Sequence, residues 1–255
     1  MFIGQALLNF IPKEWLHDKL FWDESEHLEN PLVSFHERIA LVAELSRLNQ
    51  RSGLIRNMLK EFESLLGDLQ DWRSLNRPLR ILDVGPGGGA LLAALYQWSL
   101  EKNLPVELFG VDIDSDFAQF IEKKLNGQSI PVRIIHGDGT DLRQFQENSF
   151  DFVLSSNVIH HIRKSNEVTQ CFNEIFHLAR YGWLIVDLDK RLTGPLFMRL
   201  GSAFHRCSKL LSADGLKSAR RAYSYQDIND LISNDQMHCE PHPLYPYWLV
   251  KGRKH

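Results

Sequence analysis

The segment ILDVGPGGGALLAAL, residues 81–95, runs from an apolar strand ending in Asp83 through a glycine-rich turn into an apolar helix. Gly85, Gly87 and Gly89 carry no Cβ to hold a ligand off the backbone. A helix starting there offers unpaired N–H groups and the positive end of its dipole. That chemistry suits an anionic or polar ligand. The spacing Gly85-x-Gly87-x-x-Ala90 also matches the dinucleotide fingerprint G-x-G-x-x-G/A, so the turn alone leaves NAD(P) open.

Carboxylates at the ends of apolar runs narrow the choice. Asp83 precedes the turn, where it can approach a cationic ammonium or a ribose but would repel a pyrophosphate. Asp112, in VELFGVDID with Ile113 beside it, is placed to accept hydrogen bonds from the two hydroxyls of a ribose; its alternative is a solvated strand-end acid. Asp138 in IIHGDGTDL, followed by Gly139, could accept from an adenine amino group. In SFDFVLSSNVIHHI, residues 149–162, His160 and His161 are candidates for a general base, because histidine titrates near neutral pH. The same pair reads equally as a helix start that caps or packs. Asn157 either bonds an acceptor or cofactor or forms a turn, and Asp187 and Asp189 either touch substrate or are solvated acids.

The elements that must hold these residues follow from periodicity. Residues 1–75 repeat apolar positions every three or four residues, as in Ile39, Val42, Ala43 and Leu54, Ile55, Met58, Leu59, Phe62, which predicts helices. Pro78 interrupts that pattern. Strands are then expected at Arg80–Val84, Val106–Asp112, Val132–His136, Phe150–Ser155 and Trp183–Leu188, alternating with helices at Ala90–Trp98, Asp116–Leu125 and Glu167–Ala179. Such alternation predicts an α/β fold with a mostly parallel sheet. A helix at Tyr225–Ile232 and short strands around Pro241–Tyr245 and Tyr247–Lys251 close the chain, after an insertion at about 190–222.

Taken in order, these motifs resemble those of the class I S-adenosylmethionine-dependent methyltransferases over about residues 79–190. The resemblance implies a Rossmann-like, mostly parallel seven-stranded sheet with an antiparallel last hairpin. It implies S-adenosylmethionine as cofactor, with its methionine part held by Asp83, Gly85, Gly87 and Gly89, its ribose by Asp112, and its adenine facing Asp138 and Gly139. Asp151 matches the family's Phe-Asp strand start and reads as structural. At Arg180-Tyr181-Gly182-Trp183 the chain departs from the family's Pro-Gly pair, and a turn of altered geometry is expected. ELSRLNQRSGLIRNML and DGLKSARRAYSYQDINDLI look like segments of bacterial enzymes for polyketide, phenolic and quinone-type acceptors.

The expected organisation is a helical N-terminal cap, residues 1–78, and a methyltransferase domain, residues 79–255. The expected activity is methyl transfer to a small, apolar or aromatic acceptor, with oxygen favoured. An NAD(P)-dependent oxidoreductase, a nucleic-acid methyltransferase and a non-catalytic cofactor-binding protein are the alternatives. The chain has 255 residues and a formal charge of −3, which gives no global attraction for nucleic acid. No cluster has metal-ligand spacing. Cys171, Cys207 and Cys239 lie far apart and read as reduced thiols of a cytoplasmic protein. No apolar run reaches the roughly 20 residues that span a bilayer, and the N-terminus lacks the basic start and cleavage site of a signal peptide. Phe2, Phe10, Trp15, Phe21 and Trp22 line an acceptor pocket or form core. LFMRLGSAFHRCSKLL, residues 196–211, reads as an amphipathic basic helix. Residues 190–221 hold eight Lys/Arg against one acid, Asp214. That stretch is either a solvated face or a lid that attracts an acidic partner such as an anionic membrane or a carrier protein.

Overall fold

A computed structural model describes residues 26–30, 32–67, 76–190, 205–244 and 246–254. Helix α1 (Phe35–Arg51) starts at a reciprocal capping box: Ser34 Oγ accepts the Glu37 N–H while the Glu37 carboxylate accepts the Ser34 N–H. Gly53, at φ +85°, turns the chain into α2 (Leu54–Gly67). There Leu54, Met58, Phe62, Leu65 and Leu66 recur at helical spacing and are buried.

The alternating region forms β1 (Leu79–Val84), α3 (Ala90–Glu101), β2 (Val106–Asp112), α4 (Ser115–Gly127), β3 (Val132–His136), β4 (Phe150–Ser156), α5 (Ser165–Leu178) and β5 (Ala179–Leu188). Then follow α6 (Lys209–Arg221), α7 (Tyr225–Leu231), β6 (Cys239–Pro241) and β7 (Tyr247–Arg253). The seven strands lie in the order β3-β2-β1-β4-β5-β7-β6. Strands one to five pair parallel, and β7 runs antiparallel to β5 and β6. This is the Rossmann-like sheet and last hairpin that the sequence implied. Strand order reverses between β1 and β4, so the crossovers diverge there and leave a crevice at the carboxyl ends.

Successive strand residues serve opposite faces. Ile81, Leu108, Phe152 and Leu184 join the core under α1 to α4, while Leu82, Phe109, Val153 and Ile185 join the one under α5 and α7. Phe62 packs its ring edge-on between Trp98 and Phe152, at 5.3 and 5.1 Å. Helix α2 is therefore a layer of the sheet, and among the described N-terminal residues only those just before α1, α1 itself and Ile55 at the start of α2 reach the crevice. At the opposite edge Asp151 receives both guanidinium nitrogens of Arg77, at 2.6 and 2.7 Å, and the Arg80 N–H, which fixes β4 to β1.

Three expectations are corrected. Arg180–Trp183 is not a turn: β5 begins at Ala179, where the helix was expected to end, and the register shifts between Phe150 and Phe152. The first closing strand lies at Cys239–Pro241 rather than Pro241–Tyr245. The helix expected over 196–211 is not continuous in its described part, because the chain turns at 205–206 with Arg206 at φ +54° and α6 starts only after Ser208. The rest of that segment and the aromatics Phe2, Phe10, Trp15, Phe21 and Trp22 lie outside the described residues. Among described residues no helix is long and apolar enough to cross a membrane.

A Cβ at Gly182 would stand 2.7 Å from the Gly252 carbonyl oxygen and 3.3 Å from the Phe152 ring. Gly182→Ala is expected to lower stability by about 1–3 kcal/mol through overpacking. A urea midpoint equal to that of the unmodified protein would show that β7 yields without strain.

Candidate functional site

Asp83, Asp112 and Asn157, from the ends of β1, β2 and β4, meet at one cavity of about 980 Å³. Gly85, Gly87, Ile113, Asp138, Gly139 and His161 also line it, as do Leu28, Glu29, Arg38, Val42 and Ser46 from the N-terminal side. The sequence thus brought most of its candidates to one place. The cavity lies at the top of the ordinary size range for small-molecule sites, roughly 300–1,000 Å³.

The glycines of the turn do different jobs. A Cβ at Gly87, which sits at φ +50°, would meet nothing within 4 Å, so this residue leaves the floor open. Gly88 is where α1 lands: a Cβ there would lie 2.0 Å from Ser46 Oγ and 3.2 Å from the Val42 carbonyl. Gly89 is not among the residues that line the cavity, and a Cβ there would strike Leu125 at 2.8 Å and Ile121 at 3.1 Å on α4. It is also the N-cap of α3 and supplies no side-chain cap, which leaves the helix's first N–H groups without one.

The carboxylates divide by environment. Asp83 is buried with Oδ1 lacking any partner, and burial, helped by the nearby Asp112, pushes it up to about 8. Asp112 is raised to about 6, chiefly by burial, although its Oδ1 accepts the Asp114 N–H at 3.0 Å. Asp138 sits at the exposed rim, its Oδ1 bonded to Thr140 N and Oγ1, each at 2.8 Å. Ile113 is 68% exposed, an apolar side chain left at the cavity. Asn157 adopts φ +57°, donates its N–H to Val186 O and keeps Oδ1 buried without a partner.

The histidines separate. His160 is buried, does not line the cavity, and holds Nδ1 2.6 Å from Asp187 Oδ1. Burial opposes a charge on His160, but Asp187 and then Glu26 outweigh it and raise its affinity for a proton. The structure places His160 in a buried ion pair with Asp187. Asp187, read from sequence as touching substrate or solvated, is its partner and is fully buried, as is Asp189. His161 does line the cavity, with Nδ1 2.6 Å from Glu29 Oε1. Burial tends to raise Glu29, yet hydrogen bonds from His161 and Arg221 hold it well below the usual carboxylate range.

Sequence reasoning missed the acids and the guanidinium that meet these rings. Glu26, His160 and His161 each offer one ligating atom, all within 4.8 Å of one another. Glu26 Oε1 already accepts Ser218 Oγ at 2.7 Å and lies 3.5 Å from Arg221, while Asp187 and Glu29 engage the two Nδ1 atoms. The cluster is an ion-pair network rather than a built cation site. Arg38 was also missed; it reaches Asp114 at 2.6 Å and ties α1 to the start of α4. Only the Asp214, Ser218, Arg221 spacing carried a local signal, since it marks one face of a helix. Arg221 is buried there, so the basic stretch is not one solvated surface.

Residues 82–186 match the family model described as a methyltransferase domain. No curated protein matches the chain. Among solved structures, a SAM-dependent methyltransferase from Aquifex aeolicus superposes with TM-score 0.56 at 15% identity, covering 83% of this chain and 97% of that one. The plantazolicin methyltransferase BamL, solved with a desmethylPZN analogue and SAH, gives 0.58 at 16%, covering 85% and 90%. An O-methyltransferase family protein from Burkholderia thailandensis gives 0.57 at 14%, covering 86% and 60%. These likenesses establish the fold.

Folded Asp83 keeps its proton up to about pH 8, whereas the ordinary aspartate value is 3.8. Between those values the folded chain binds the extra proton, so stability falls as pH rises through the window. Asp83→Asn, with no proton to lose, is expected to flatten that fall when urea midpoints are compared at about pH 5 and about pH 9. Equal declines in both proteins would assign the titration to another group.

Proposed function

The chain carries a class I S-adenosylmethionine-dependent methyltransferase domain, and on that premise we propose that it methylates oxygen on a small apolar or aromatic acceptor with His161 as general base. S-adenosylmethionine is the cofactor. When bound, it supplies a methyl group activated by the sulfonium. The residues fit that group. Asp83 and Asn157 each keep a buried oxygen without a partner, and Gly87 leaves backbone open to the cavity. In this reading Asp83, Gly85, Gly87 and the α3 N-terminus hold the methionine part, Asp112 the ribose hydroxyls, and Ile113, Asp138 and Gly139 the adenine.

One observation carries the base assignment: His161 lines the cavity while its Nδ1 is committed to Glu29. A carboxylate only accepts, so the neutral ring carries its proton on Nδ1 and keeps the lone pair on Nε2. Nε2 is then the atom that takes the acceptor's hydroxyl proton. Leu28, Val42, Leu45, Ile55 and Ile162 give the cavity an apolar wall against which a phenol can pack. Holding the acceptor in line supplies most of the acceleration, since positioning is worth about 7–11 kcal/mol. Neighbours of this fold are named for carbon as well as oxygen methylation, so the choice of oxygen rests on the base.

Isothermal titration is expected to show binding of S-adenosylmethionine and S-adenosylhomocysteine but not NAD(H). Asp112→Ala should weaken both at least tenfold, about 1.4 kcal/mol; undiminished affinity would remove the ribose role. With catechol and 1-naphthol as acceptors, His161→Ala should lower kcat by about 10²–10⁴-fold with cofactor affinity unchanged. An unaltered kcat would end the base assignment.

A further inference from the structure

Glu29 lies close to the N-terminal edge of the described residues and Arg221 at the end of α6, 192 positions further on. Arg221 donates to Glu29 through both terminal nitrogens, each at 2.8 Å, in the fork geometry that fixes a carboxylate in one plane. The same Glu29 Oε1 lies 2.6 Å from His161 Nδ1. Around this chain the two segments are clasped again. His27 presents its backbone N–H to both oxygens of Asp214 at 3.0 Å and its Nδ1 to Oδ1 at 2.6 Å, and Ser218 Oγ bonds Glu26 at 2.7 Å. Asp214, Ser218 and Arg221 share one buried face of α6.

We propose that Glu29 and Arg221 are positioning residues for the transfer reaction, Arg221 holding Glu29 and Glu29 holding the His161 ring. This rests on the reading of His161 as the base and names what makes it competent. None of the three acts from its own element alone: Glu29 comes from the segment before α1, Arg221 from α6 and His161 from the turn after β4. The base is therefore complete only when the segment around residue 26 and α6 are both docked on the carboxyl edge of the sheet. Arg221, 1% exposed, has no route to solvent that would let it satisfy its charge elsewhere while docked.

The groups facing His161 are Glu29, the His160 ring with its centroid 4.1 Å away, Glu26 within the same 4.8 Å cluster, and Asp187 behind His160. Removing one charge from the chain should shift the base in a direction set by that charge. In Glu29→Gln the imidazolium loses its counter-ion, so the acid limb of the kcat profile should move to lower pH. In Arg221→Gln the Glu29 charge is no longer shared, so the limb should move to higher pH. Both variants should lower kcat about tenfold or more, with S-adenosylhomocysteine affinity within twofold of the unmodified protein. Arg221→Lys keeps a charge but not the fork and should recover part of kcat.

The direct readout needs no acceptor: histidine-labelled protein with S-adenosylhomocysteine, observed by nitrogen NMR, should give His161 as the Nδ1–H form, and Glu29→Leu, which removes the accepting oxygen, should lose that form. Glu29 is 27% exposed, so Glu29→Gln tests the proposal even if Arg221→Gln does not fold. A folded Glu29→Leu with the tautomer unmoved and a folded Glu29→Gln with the acid limb unmoved, beside a crippled His161→Ala, would overturn this inference and leave the base reading standing. An active His161→Ala would overturn both.

Discussion

Parallel pairing of β1 with β2 and β4 forces the carboxyl ends of three strands to the same rim, and every candidate group of the site depends on that alignment. A parallel connection has to cross over through a helix, so each strand ends where a loop begins and each loop can carry a polar group. Asp83, Asp112 and Asn157 are far apart in the chain and adjacent in the fold for this reason. The reversal of order between β1 and β4 opens the crevice that receives them.

Pairing separates the structural acids from those of the site. Asp151 has Arg77, Asp187 has His160, and Asp214 has His27 and its backbone N–H, so these three buried carboxylates find donors within the chain. Asp83 has burial without such a partner for Oδ1, and its pKa rises accordingly. An uncompensated polar group costs stability, and its retention beside an open glycine marks where a ligand completes the hydrogen bonding. Perturbed carboxyls gathered at a cavity are the electrostatic mark of function.

The N-terminal helices join this site by two routes of different character. Helix α2 belongs to the core of the sheet through Phe62, and its contribution is apolar packing. Helix α1 instead rests on the missing side chain of Gly88 and reaches Asp114 through Arg38, so it touches the glycine turn and the wall of the cavity at once. With Lys124 donating to the Gly88 carbonyl from α4, the turn is gripped from both sides. A rigid turn keeps backbone donors in place before a ligand arrives, which reduces the ordering that binding requires.

What the sequence determined by itself was whatever depends on neighbours along the chain. Strand ends at Val84, Asp112 and His136, the left-handed glycine turn and the helix starts follow from periodicity and backbone sterics, and these positioned Asp83, Gly85, Gly87, Asp112, Asp138 and Asn157. The tertiary structure decided which histidine faces the cavity. His160 and His161 are adjacent and chemically identical, yet Asp187 takes one into the core and Glu29 keeps the other at the wall. It also decided that Arg180–Trp183 continues a strand, because β4 and β7 flank those residues with open hydrogen-bonding edges that no local rule contains. The partners of Arg221 were hidden for the same reason. Arg221 is neutralised by acids 192 and 195 positions away, and the energy of an ion pair depends on distance in space and on burial, neither of which a linear order of residues records.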